Sequence, residues 1–188
     1  AYNLSALTIP NNAVCTVTLS VRGTTAGVKS NTVTGTAPSQ FSGSTDTATL
    51  SVHDAPAIAK AFSPATIAAG GTSTLTFTLT NPNAFTALTG AAFTDTLANM
   101  AVSSAQAVGG TCAGTMPAAL ANGATALSFS GITIPAGGSC TVSLVVTSAT
   151  PGVHPNTASG VTSAQTPAAG ANSGAVNLTV GGIALTKA

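Results

Sequence analysis

The sequence predicts an all-β chain built from β-sandwich units in tandem, and three observations carry that expectation. Apolar residues alternate with Thr and Ser at period 2 in several stretches, as in a strand with one buried face. Gly- and Pro-containing turns separate those stretches at close intervals, and no segment shows a helical period. A long stretch also occurs twice. LTIPNNAVCTVTLSVRGTTAGVKSNTVTG near the start returns as ITIPAGGSCTVSLVVTSATPGVHPNTASG, Ile132 to Gly160. Pro10 matches Pro135, Cys15 matches Cys140, Gly27 matches Gly152 and Asn31 matches Asn156, each pair ~125 residues apart without a gap.

In chain order, residues 1–52 read as the C-terminal half of one sandwich unit. Cys15, Val17, Leu19 and Val21 alternate with Thr16, Thr18 and Ser20, which predicts a strand. Gly27 closes a turn, Asn31 to Thr36 begins a second strand, and Ala48, Leu50 and Val52 mark the last strand of that unit. Residues 53–180 read as a complete unit. His53 to Pro56 is a corner, and AIAKAF is the first strand. Thr66 to Gly71 reads as a turn. TSTLTFTLT has the cleanest alternation in the chain, with Leu75, Phe77 and Leu79 on one side and Thr74, Thr76, Thr78 and Thr80 on the other. Such a Thr ladder is either the solvent face of a sandwich strand or an ice-binding face.

The loop NPNAFTALTG leads into AAFTDTL, with Phe93, Asp95 and Leu97 on one side. Met100 to Gly123 is irregular. ALSFSGITIP, SCTVSLVVTS and PNTASGVTS follow as strands, then a loop over QTPAAGANSG, and Val176, Leu178 and Val180 close the unit. Residues 181–188 repeat the pattern of the first strand and read as the start of a further unit. Seven or more short strands with such turns predict a Greek-key sandwich of the immunoglobulin-like kind. A β-helix, the competing architecture, would repeat every few tens of residues.

Composition restricts the function classes. Charged residues are 4% of the chain against about 25% in ordinary domains. A net charge of +1, with no basic cluster, argues against a nucleic-acid partner. Although 44% of residues are hydrophobic, no apolar run approaches the ~20 residues of a transmembrane helix. Solubility that rests on hydroxyls rather than charge suits an assembled extracellular protein.

The three cysteines are explained by the repeat. Cys112 and Cys140 both lie in the complete unit, 28 residues apart, and a bridge between them is expected to add about 3–4 kcal/mol on the chain-entropy model. Cys15 is the counterpart of Cys140 and is left as an unpaired half-cystine. The bridge implies an oxidising, extracytoplasmic location; free buried thiols in a reducing compartment are the competing expectation. With no CxxC and no neighbouring His, neither a metal site nor any cofactor is expected.

Scarce charges are informative where they interrupt apolar faces. Lys60 falls between Ile58 and Phe62, Asp95 between Phe93 and Leu97, and Asn156 shares a face with Ala158. Lys187 repeats the position of Lys60, and Asn31 that of Asn156. Burial favours the uncharged forms of an amine and a carboxyl. An uncharged Lys60 can then attack the Asn156 carboxamide while protonated Asp95 polarises it, releasing ammonia and leaving an isopeptide bond. The order lysine, acid, asparagine resembles that of several Gram-positive surface-protein sandwiches that crosslink themselves this way. Asn81, which continues the Leu75–Phe77–Leu79 face, competes for the acceptor role. The ordinary alternative is a partly exposed Lys60, an Asp95 bonded to a turn and an Asn156 capping backbone.

PAIAKAFSPATIAAGGTSTLTFTLTNPN, AFTDTL and the LTIP/ITIP…SCTV…NT(A/V)SG motif resemble the immunoglobulin-like repeat domains of unknown function found in very long bacterial surface and secreted proteins. The resemblance covers essentially the whole chain and its motifs are structural. It implies a stalk, adhesin shaft or extracellular fibre, with neighbouring repeats of the same polypeptide or identical subunits as partners. The alternative is a module binding glycans or a protein ligand through the loops at 81–90 and 162–174, although one Tyr and three acids offer little to a sugar. No enzymatic role is expected, since His53 and His154 stand apart and read as surface residues at turns, with no Ser/His/Asp spacing.

Overall fold

Residues 4–5, 8–36 and 43–182 are described by the structure, a computed structural model. Every regular element in them is a strand. The first two form a hairpin, β1 (Gly27–Gly35) and β2 (Ser44–Val52), paired from Gly27↔Val52 to Gly35↔Ser44. The remaining strands are β3 (Ala57–Ser63), β4 (Thr66–Ala68), β5 (Thr72–Thr80), β6 (Leu88–Thr96), β7 (Ala101–Val102), β8 (Gln106–Ala107), β9 (Gly109–Gly110), β10 (Ala119–Leu120), β11 (Ala126–Ile134), β12 (Ser139–Thr147), β13 (Gly152–Asn156) and β14 (Val176–Gly181).

These strands make a sandwich-like core of two facing layers. In one layer the order is β3-β5-β12-β7, with β9 also on β12. In the other, β6 pairs with β11 and is extended on its free side by single bridges, Ala92↔Thr162 and Asp95↔Ala158. Phe77 on β5 meets Phe93 on β6 and Phe129 on β11, at centroid separations of 5.0 and 5.9 Å. Leu75, Leu79, Val142, Val146, Ile132 and Ile134 are fully buried around them. Strict alternation places these side chains. β5 has threonines on one face and, beyond Ser73, large apolar residues on the other, so it turns Leu75, Phe77 and Leu79 into the core. Thr74 and Thr80 are exposed and Thr76 and Thr78 half-buried. A third, small sheet orders β13-β14-β4, with β4 parallel to β14.

Where β11 pairs with β6, the register shifts between Phe129 and Ile132. Gly131 there adopts φ +71°, a left-handed conformation that costs glycine nothing. The bulge lets both Phe129 and Ile132 point inward although they are an odd number of residues apart.

The structure departs from the sequence expectation in several places. Cys15 to Val21 is not a strand, and Val17, Leu19 and Val21 are exposed. Alternation supplies a face but a strand needs a ladder, and no partner strand pairs with it among the described residues. Its counterpart β12, by contrast, is paired with β5 along its full length. Thr66–Ala68 is a short strand rather than part of a turn, because Ile67 packs into the core and pairs with Val180 of β14. In the expected strand PNTASGVTS, regular pairing ends at Asn156, and the residues after it join β6 only through the single bridges. Of the expected first strand of a further unit, 181–188, Gly181 is instead the last residue of β14, and residues 183–188, with Lys187, lie outside the described residues.

Candidate functional site

Lys60, Asp95 and Asn156 meet inside the sandwich. They come from different strands: the middle of β3, the penultimate residue of β6 and the last residue of β13. The buried faces of β3 (Ile58, Lys60, Phe62) and β6 (Phe93, Asp95) each carry one charged residue in apolar sequence. The Lys60 and Asp95 side chains are both 0% exposed.

Each of the three side chains bonds to the other two. Lys60 Nζ donates to Asp95 Oδ2 at 2.5 Å and to Asn156 Oδ1. Asn156 Nδ2 donates to Asp95 Oδ1 at 2.7 Å and to the Thr96 carbonyl at 2.8 Å. Both amide hydrogens of Asn156 are therefore engaged, which fixes the amide with its oxygen toward the lysine. Asp95 touches the amide nitrogen and the amine, not the amide oxygen. It does not stand where an acid would polarise the carbonyl, as expected from sequence; the group on that oxygen is Lys60 itself.

The amine also faces two aromatic rings, Phe77 at 5.2 Å and Phe62 at 6.0 Å from their centroids. Loss of solvent drives the Lys60 pKa below its ordinary 10.5, against the hydrogen bond and charge of Asp95, which raise it. Among the described residues no buried side-chain nitrogen or oxygen lacks a hydrogen-bond partner, so the polar cluster is internally complete.

The competing acceptor is excluded by geometry. Asn81 is buried, but its amide donates to the carbonyls of Thr86 and Pro135 and its oxygen accepts from Asn83. Asn83 in turn bonds both backbone groups of Asp54, accepting from its N–H and donating to its C=O, each at 2.8 Å. These asparagines brace the corner before β3 against the loop after β5. Sequence reading missed this brace, and also Thr96, whose contribution is a backbone carbonyl with no side-chain signal. Asn31, the counterpart of Asn156, is exposed on β1.

Cys112 and Cys140 form a disulfide, with Cα atoms 4.8 Å apart. Cys140 sits on the buried face of β12, and Cys112 is brought to it by β9, where Gly110 (φ +113°) turns the chain and Cys112 N–H bonds Thr141 C=O at 3.0 Å. Cys15 is a free, exposed thiol. The histidines do not share a site. His53 packs on Phe85 at 5.1 Å, while His154 is buried on β13 with its Nε2 at 2.7 Å from the Thr150 carbonyl. The expectation of a surface His154 is thus corrected: period 2 from Asn156 carries it to the inner face.

Among the described residues, no cluster of three His, Cys, Asp or Glu side chains could hold a metal ion, and no helix is long and apolar enough to cross a membrane. Two shallow hollows of about 300 and 350 Å³ have only uncharged linings, one around Leu97 and Met100, the other around Phe93 and Phe129.

Residues 56–180 match the model of a domain of unknown function, DUF7933. The chain belongs to this family. A comparison with curated proteins finds no match. Lys60, Asp95, Asn156 and the disulfide all lie within the DUF7933 match, as do all strands from β3 to β13. The DUF7933 domain therefore contains both the covalent staple on β12 and the buried polar cluster that links β3, β6 and β13.

Proposed function

We propose that this chain is a structural module of an extracellular shaft, a stalk or filament assembled from tandem Greek-key sandwiches of the immunoglobulin-like kind. The observation that carries the reading is the junction at 53–56. Only four residues separate β2 from β3, and Asn83 holds both backbone groups of Asp54 within them. A short junction pinned by two part-buried hydrogen bonds transmits orientation from one unit to the next, where a flexible linker would not. The ~125-residue internal repeat supports the same reading, because stacked units interact with their neighbours along one axis. A disulfide and a surface with very few charges fit a location outside the cell.

In this role the domain carries load and spacing rather than chemistry on a substrate, and its partners are adjacent repeats or identical subunits. Negative-stain imaging of the full-length protein from its native source tests it. Straight rods with a regular axial repeat are expected at the cell exterior. A compact particle, or a cytoplasmic pool with all cysteines reduced, would overturn the proposal.

A further inference from the structure

We propose that Lys60 and Asn156 join covalently, forming an amide between Lys60 Nζ and Asn156 Cγ with loss of ammonia, and that Asp95 carries the protons between the two nitrogens. This stands independently of the shaft reading, since it rests on the interior of one domain.

The geometry contains each part the reaction needs. The nucleophile is held against the amide it attacks, through the bond from Lys60 Nζ to Asn156 Oδ1. The two Asp95 oxygens divide between the nucleophile and the leaving group, Oδ2 on Nζ and Oδ1 on Nδ2. Thr96 C=O holds the leaving nitrogen's second hydrogen. Bringing two reactants together in a fixed pose removes the entropy cost that makes amine attack on an amide negligible in solution.

The steps balance without a co-reactant. The ammonium of Lys60 passes one proton to Asp95 Oδ2, leaving a neutral amine and a neutral carboxyl in the apolar interior. The Nζ lone pair forms the new bond to Cγ, and the carbonyl π electrons move to Oδ1. Asp95 gives its proton to Nδ2, the electron pair on the Asn156 oxygen re-forms the carbonyl as the Cγ–Nδ2 bond breaks with its own pair going to nitrogen, and ammonia departs. Asp95 takes the proton that the new amide nitrogen releases and ends as the neutral acid. The buried site begins as an ion pair beside an amide and ends with no charge, so its desolvation penalty falls as the bond forms. The product ties the first strand of the unit, β3, to β13.

The scarcity of basic residues makes the test sharp. Arg22, Lys29, Lys60 and Lys187 are the only sites for trypsin in the chain. Purified protein, denatured and reduced, is expected to weigh about 17 Da less than its sequence, the mass of one ammonia. Trypsin should fail to cut after the acylated Lys60 and release 30–187 as one piece, with fragmentation placing the link between residues 60 and 156. Lys60→Arg, which keeps the charge but supplies no amine nucleophile, should restore both the full mass and the cut. Full sequence mass with separate fragments 30–60 and 61–187 from the unaltered protein would overturn the proposal. That reading needs no variant to fold. A mass loss that persists in Lys60→Arg would overturn the assignment of the nucleophile.

Discussion

Asp95 Oδ2 lies 2.5 Å from Lys60 Nζ, and neither side chain is exposed to solvent. A buried ion pair contributes little net stability over an apolar pair of the same shape, but removing one member leaves an uncompensated charge. In an Asn156→Ala background, where the amine stays free, Lys60→Met is therefore expected to destabilise the domain by about 3–5 kcal/mol, and Lys60→Met with Asp95→Leu by clearly less. Urea unfolding of the two variants checks this; equal losses would show that the charge of Asp95 is not the cause.

The lowered pKa of Lys60 gives stability a pH dependence wherever the amine stays free, as in Asn156→Ala. The folded state releases the lysine proton at lower pH than the unfolded chain, whose lysine titrates near 10.5. Between those two values the unfolded state binds more protons, so stability rises with pH across that window and is flat in this term above it. Urea midpoints of Asn156→Ala measured at increasing pH should climb toward 10.5, and Lys60→Met/Asn156→Ala should lack that rise.

Reduction of Cys112–Cys140 is expected to cost about 3–4 kcal/mol, the loop entropy that the bridge removes from the unfolded chain. Denaturant titration with and without reductant reads it. Under native, non-reducing conditions a thiol reagent should label Cys15 alone, because that thiol is free and exposed. Labelling at Cys112 or Cys140 would show the bridge to be absent.

Asn83→Ala removes the brace on Asp54, whose two bonds to Asn83 are part-buried, at an expected cost of about 1 kcal/mol per hydrogen bond lost. Hydrogen exchange at the Asp54 amide should speed up, while Phe77 and its strand keep their protection. Unchanged exchange at Asp54 would mean that the corner is held by something else.

Phe129 contacts both Phe77 and Phe93 and has no exposed surface. Phe129→Ala should cost about 3–5 kcal/mol in unfolding free energy, since three of only six phenylalanines form this cluster and few large side chains remain to refill it.

Period-2 alternation was enough to place β5, β6, β11, β12 and β14, because a strand's side chains obey the pleat whatever it packs against. The same rule put Lys60 and Asp95 on apolar faces, and the repeat picked out Cys112 and Cys140 as the pair. What alternation cannot report is whether a strand has a neighbour. Cys15 to Val21 and Ser139 to Val146 carry nearly the same pattern, yet only the second is a strand, since ladder hydrogen bonds need a partner from distant sequence. Tertiary structure also chose Asn156 over Asn81. Both are buried asparagines, and only Asn156, at the end of β13 and bonded to Asp95 and Thr96 of β6, is brought to Lys60. It decided the orientation of the amide as well: Thr96 C=O and Asp95 hold its nitrogen, so Asp95 faces the amide nitrogen rather than the carbonyl oxygen. A sequence names the groups that can react, and the distances between strands far apart in the chain decide which of them meet.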